Sequence, residues 1–111
     1  MPDIAVIAWD RIPVNDLGEP EENFLKAPDW SIEILSPDQK ANRVIDNLLH
    51  CLKHGCQLGW MTDLDDYSIL TFIPHEEPNI YRGSHPLPVL ENIKLELTAE
   101  QVFTWLKINQ P

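Results

Sequence analysis

The segment Pro28-Asp-Trp-Ser-Ile-Glu-Ile-Leu-Ser-Pro37 has the pattern of a buried β-strand but carries one carboxylate, Glu33, at its centre. Side chains of a strand alternate between two faces, so Glu33 shares its face with Ser31 and Leu35, opposite Trp30, Ile32 and Ile34. An ionised carboxylate is costly to bury unless a cation, a metal ion or several hydrogen bonds compensate it. Glu33 therefore either has such a partner or lies on the solvent side of an antiparallel sheet.

Composition indicates one small folded domain. The chain has 111 residues, 43% of them hydrophobic, and a formal net charge of -10. That charge opposes non-specific binding to nucleic acid or anionic membranes, because phosphate contacts are made mainly by Lys and Arg. The sequence has no apolar run near the roughly 20 residues of a membrane-spanning helix, no basic flank of a signal peptide, and only two cysteines. We expect a cytoplasmic protein with no membrane partner.

The first half of the chain predicts two strands and a helix. Residues 4–9 form a nearly continuous apolar run, typical of a strand covered on both faces. Residues 10–27 contain turn-forming and acidic residues and predict a loop, and residues 30–35 form the second strand. Ser36, Pro37 and Gln39 have the spacing of a capping box and predict that a helix begins there. Gly55 is the expected stop of that helix.

The second half predicts a hairpin, an edge strand and a final helix. Residues 57–62 and 67–73 read as paired strands joined by a polar turn. A short edge strand over residues 79–82 lies in a proline-rich stretch, and Thr98 with Gln101 predicts the capping box of the last helix. The order β-loop-β-α-β-β-α predicts an α/β fold, a small mixed sheet flanked by helices.

Three segments carry a family resemblance: Pro2-Asp-Ile-Ala-Val6, Ala27-Pro-Asp-Trp-Ser-Ile-Glu-Ile-Leu-Ser-Pro37 and Gly55-Cys-Gln-Leu-Gly-Trp-Met-Thr-Asp63. In this order they resemble the Uma-two family of restriction endonucleases, in the PD-(D/E)XK nuclease superfamily. The resemblance implies a restriction-endonuclease-like core over residues 1–111, a single nuclease-like domain that lacks the N-terminal part of the family. It also implies a hydrolase that cleaves DNA, with Mg²⁺ as cofactor.

The same resemblance assigns site residues. Asp3 matches the first acidic position and Glu33 the second, so both are the expected catalytic residues and metal ligands, with the carbonyl of Ile34 as a third ligand. Asp29 also matches a recurrent family position, but a turn residue leading into the strand explains it as well.

The chain departs from the family pattern at its expected lysine. Leu35 occupies the superfamily position two residues after Glu33, and Asn47 occupies the position from which the family supplies a lysine on the following helix. Lys40 and Arg43 share a helix face with Asn47 and are candidate substitutes. Without such a group, the alternative is a catalytically inactive, truncated relative that acts as an interaction module. Its exposed first strand would then pair with another chain, for example in a homo-oligomer.

Two further patterns in the sequence are candidate metal sites. His50-Cys51-x-x-His54-x-Cys56 places two imidazoles one helical turn apart beside two thiols, a spacing that can bind zinc. The alternative is a helix C-terminus that favours histidine, with the cysteines as small apolar residues. The aspartates at positions 63, 65 and 66 could suggest calcium, but a hairpin turn explains them without the glycine and distal glutamate of a calcium loop.

Overall fold

The computed structural model describes residues 3–6, 28–91 and 93–108, which form one sheet and two helices. In chain order the elements are β1 (Ile4–Val6), β2 (Trp30–Leu35), α1 (Ala41–Lys53), β3 (Leu58–Asp63), β4 (Ser68–Phe72), β5 (Asn79–Tyr81) and α2 (Ala99–Ile108).

The sheet is mixed, with the spatial order β1-β2-β3-β4-β5. Strands β2 and β3 are parallel and are connected by α1, whereas the other neighbouring pairs are antiparallel. A parallel pair needs a crossover connection, which α1 supplies. The predicted α/β fold with a small mixed sheet is therefore confirmed.

Each face of the sheet packs against its own helix. Alternation in β2 directs Trp30 to one face and Leu35 to the other. The α1 face buries Leu35, Val44, Leu48, Met61 and Phe72. The α2 face buries Trp30, Leu58, Trp60, Ile69, Leu87, Ala99 and Phe103. The face that carries Glu33 is consequently the α1 face.

The first strand differs from its prediction. Ile4 is 39% exposed and Ala5 is exposed, because β1 is the outermost of the described strands. The predicted burial on both faces is thus wrong for Ile4 and Ala5, whereas Val6 is half-buried and packs against the core of the α2 face. The remaining part of that predicted strand and the predicted loop over residues 10–27 lie outside the described residues. Pairing of β1 with another chain stays a prediction.

Helix α1 begins later than its capping signal predicted. The Gln39 amide donates to the Ser36 carbonyl at 3.1 Å, and the Ser36 amide donates to Oε1 of Gln39 at 3.1 Å. These residues build a turn ahead of the helix, so Lys40 becomes the N-cap and Ala41 the first helical residue. The predicted stop is confirmed, because Gly55 has φ of 107°, a conformation that glycine adopts without strain.

The later elements follow their predictions closely. The Thr98 amide donates to Oε1 of Gln101 at 3.0 Å, and the Gln101 amide donates to Oγ1 of Thr98 at 3.2 Å, a reciprocal capping box. In the β3–β4 turn, Oδ1 of Asp63 accepts from the amides of Asp65 and Asp66. That bonding supports the hairpin-turn interpretation of these aspartates. None of the described helices is long and apolar enough to cross a membrane.

Candidate active site

Strand pairing brings Asp3 to Glu33. In the antiparallel register of β1 and β2, Ile4 lies opposite Ile32 and Val6 opposite Trp30, so the residue before Ile4 approaches the residue after Ile32. The Ile34 amide donates a hydrogen bond of 2.7 Å to Oδ2 of Asp3. The two acidic residues expected at the site, 30 positions apart in the sequence, are therefore neighbours across two strands.

Glu33 is a buried carboxyl group, only 7% exposed. Burial raises its pKa above the ordinary value of 4.5, and the negative charge of Asp3 together with a side-chain hydrogen bond from that residue raises it further. Both effects disfavour the ionised form of a carboxyl group. The pair therefore favours a bound proton, or a cation in its place, between the two side chains.

The donor set of this pair consists of hard oxygen atoms. In a strand, the N–H and C=O of one residue point to the same neighbouring strand. Because the Ile34 amide points to Asp3, its carbonyl is directed to that same edge of β2. No group of three His, Cys, Asp or Glu side chains that could hold a metal ion occurs within residues 3–6, 28–91 and 93–108. Two carboxylates and a carbonyl fit Mg²⁺, which keeps several waters and takes further ligands from a substrate phosphate.

Ser31 is a polar residue of this face that sequence reasoning did not select. It is fully buried, and its Oγ has no hydrogen-bond partner among the described residues. It precedes Glu33 by two positions on the α1 face of β2 and lies opposite Ala5 and Gly59. The alternation of the strand indicated the face, but burial of the hydroxyl depends on α1 packing above it.

Asp29 lies at the other end of β2. Its amide donates to the Val6 carbonyl at 2.9 Å, and its carbonyl accepts from the Gln57 amide at 2.8 Å. Glu33 is four positions further along the extended chain, so the two Cα atoms are about 13 Å apart. This position supports the interpretation of Asp29 as the residue that leads into β2 and joins it to both neighbours, rather than as a ligand beside Glu33.

The positions expected to carry a lysine differ in their surroundings. Leu35 is 8% exposed and packs in the core beneath α1, so it contributes no charge. Asn47 is exposed and lines an open cleft of about 400 Å³ together with Lys40 and Arg43. Two cations thus lie near Asn47, the position at which the resemblance predicts a lysine.

The zinc hypothesis is not supported. The rings of His50 and His54 lie at the exposed C-terminal end of α1, with their centroids 4.4 Å apart and their planes tilted by 58°. Cys56, by contrast, is buried and its thiol donates to the Leu58 carbonyl at 3.2 Å. The thiol faces β3 and the imidazoles face solvent, so these groups do not converge on one point.

Comparison with known proteins gives the same family as the sequence motifs. The family model Uma2, described as "Putative restriction endonuclease", matches residues 1–108. Among solved structures, the chain is similar to one from Anabaena variabilis, described as "a putative nuclease belonging to DUF820". The two share 44% sequence identity and a TM-score of 0.90 over 96% of this chain and 60% of that chain. The present chain therefore spans less than two thirds of that protein. No curated protein matches it.

Proposed function

Since the chain belongs to the Uma2 family, we propose that it is a metal-dependent endonuclease that hydrolyses DNA phosphodiester bonds at Asp3 and Glu33. The observation that carries this proposal is that the register of β1 and β2 brings Asp3 opposite Glu33, which is only 7% exposed. A buried carboxyl group next to a second one is costly in the ionised state, and a divalent cation between them removes that cost. A hydrogen bond from the Asp3 backbone lowers the pKa of Glu33, but burial and the charge of Asp3 outweigh it, so the ionised form of Glu33 stays disfavoured.

The chain's own residues fix the geometry of the pair. The Ile34 amide holds Oδ2 of Asp3 at 2.7 Å, so the direction of that carboxylate is set by the backbone of β2. Glu33 lies on the same strand, one residue earlier, and is held by the packing of β2 against β3 and α1. The backbone of β2 therefore positions both carboxylates, which favours a preorganised site.

Asp3, Glu33 and the Ile34 carbonyl are the groups that would hold Mg²⁺. When bound there, the ion would polarise the scissile phosphate and lower the pKa of an attacking water. The two carboxylates would attract the metal ion, and the charge of that ion would offset their repulsion of the substrate phosphate. This matters in a chain of formal net charge -10, which repels DNA unless cations intervene.

Cleavage of DNA that requires both Mg²⁺ and the Glu33 carboxylate tests this function. Replacement of Glu33 by glutamine keeps the size of the side chain and removes its negative charge. We therefore expect the wild-type chain to nick supercoiled plasmid when Mg²⁺ is present, and we expect Glu33→Gln to lose this activity.

A further inference from the structure

A DNA phosphate near this site would be contacted by Lys or Arg side chains. The Lys and Arg residues of the described ranges are Lys40, Arg43, Lys53, Arg82, Lys94 and Lys107. Arg82 is paired with Asp66 at 2.5 Å. Lys40 and Arg43 stand three positions apart and line the same cleft. Lys40 is the N-cap of α1 and Arg43 lies in its first turn, which contains no acidic residue.

Topology places this cleft at the Glu33 end of β2. Strand β3 runs parallel to β2, so α1 has to return from the C-terminal end of β2 to its N-terminal end. The helix begins after Leu35, and its later residue Leu48 lies over Gly59, which is in register with Ser31. The first turns of α1 consequently lie above the half of β2 that contains Glu33.

The packing of α1 sets which of its flanks faces Glu33. Val44 and Leu48 point to the sheet, and Ile45 and Leu52 line a groove with residues of β4. Successive residues of a helix are 100° apart, so Arg43 and Asn47, each one position before a buried residue, lie on the flank opposite Ile45. Since β4 is on one side of β3, that opposite flank faces β2 and β1, where Glu33 and Asp3 are.

We propose that Lys40 and Arg43 form the DNA phosphate-contacting surface of this protein, which holds the strand so that the bond to be cleaved lies at Asp3 and Glu33. The inference rests on the proposed function and names the part of the chain that receives the substrate. Asn47, in the same cleft, is a neutral hydrogen-bond partner for a phosphate oxygen. Asp38 also lines the cleft, so two positive charges act against one negative charge there.

The test measures DNA affinity without cleavage. A labelled DNA duplex is titrated with protein in a buffer that contains Ca²⁺ rather than Mg²⁺, at several salt concentrations. The fluorescence anisotropy of the duplex reports binding. The variant Lys40→Gln/Arg43→Gln is compared with Lys94→Gln/Lys107→Gln, which removes the same two charges from exposed positions elsewhere. Circular dichroism and thermal unfolding confirm that both variants fold.

We expect the α1 variant to bind about tenfold more weakly near 0.1 M salt, and the dependence of log K on log salt to fall by about 2, since each phosphate contact contributes roughly 0.9. The control variant should change affinity less than about twofold. Equal weakening in both variants, or none in the α1 variant, overturns the inference.

The outcome separates this inference from the proposed function. Nicking that requires Glu33, together with unchanged DNA binding in Lys40→Gln/Arg43→Gln, overturns the phosphate surface alone. A wild-type chain that neither binds nor nicks DNA overturns both.

Discussion

The Ile34 amide donates a hydrogen bond of 2.7 Å to Oδ2 of Asp3, across the pair of strands β1 and β2. The donor belongs to the residue that follows Glu33, so this bond ties the carboxylate of the outer strand to the backbone beside the second carboxylate. A hydrogen bond to an ionised acceptor is stronger than one between neutral groups. It therefore holds the Asp3 carboxylate beside Glu33, where its negative charge disfavours the ionised form of Glu33.

Replacement of Asp3 by asparagine should lower the pKa of Glu33. The asparagine carbonyl can still accept from the Ile34 amide, but the negative charge that raises the pKa of Glu33 is gone. Burial remains, so the pKa should stay above the ordinary 4.5. A ¹³C NMR titration of the Glu33 carboxyl carbon checks this. An unchanged pKa would show that Asp3 does not act on Glu33.

The pH dependence of stability follows from the sign of the Glu33 shift. Its pKa is raised in the folded state, so the folded state binds the proton more tightly than the unfolded state and stability falls as pH rises above the ordinary pKa of glutamate. In the metal-free protein, Glu33→Gln should therefore increase the free energy of unfolding at pH 7 and have little effect at pH 4.

Urea unfolding at the two pH values, without divalent ions, measures this difference. Glu96→Gln removes the same charge from an exposed position and serves as the control. A Glu33→Gln variant that is less stable than wild type at pH 7 would mean that the ionised carboxylate is compensated within the protein.

Ser31→Ala should stabilise the protein or leave its stability unchanged, within about 1 kcal/mol. The hydroxyl is fully buried and has no partner among the described residues, so its removal releases a desolvation cost without breaking a bond. Chemical denaturation measures the change. A loss of more than about 1 kcal/mol would reveal a hydrogen bond that the hydroxyl makes in solution.

Leu48 and Gly59 should be coupled in a double-mutant cycle. A Cβ atom at position 59 would lie 3.2 Å from Cδ2 of Leu48, so Gly59→Ala should cost about 1–3 kcal/mol by overpacking. Leu48→Ala should cost about 2–5 kcal/mol through the cavity that it leaves. In the double variant the new methyl group fills part of that cavity, so its cost should be less than the sum of the two. Additive costs would contradict the contact.

The fold could be predicted because its signals are local. Alternation in residues 30–35, the helix stop at Gly55 and the capping box of Thr98 and Gln101 each depend on residues close in the sequence, and each is found in the structure. The start of α1 could not be predicted in this way, because the same Ser-x-x-Gln spacing closes a turn as readily as it caps a helix. In the structure, the hydrogen bonds between Ser36 and Gln39 close a turn.

The site was predictable only in part. The motif resemblance selected Asp3 and Glu33, and strand pairing brings them together. The buried hydroxyl of Ser31 and the orientation of Arg43 depend on how α1 lies across the sheet, which local sequence does not specify. Burial of Ile4 and Ala5 was mispredicted for a related reason: an apolar run indicates a strand but not its place in the sheet.

The most direct test of the account is the conversion of supercoiled plasmid to the nicked form by the purified chain. Wild type, Glu33→Gln and the control Glu96→Gln are compared at equal concentration, with Mg²⁺ and with EDTA. If Asp3 and Glu33 hold the metal ion, wild type and the control nick the plasmid only when Mg²⁺ is present. The nicking rate of Glu33→Gln should then be at least about 100-fold lower than that of wild type. Nicking by Glu33→Gln at the wild-type rate, or none by a well-folded wild-type chain, would contradict it.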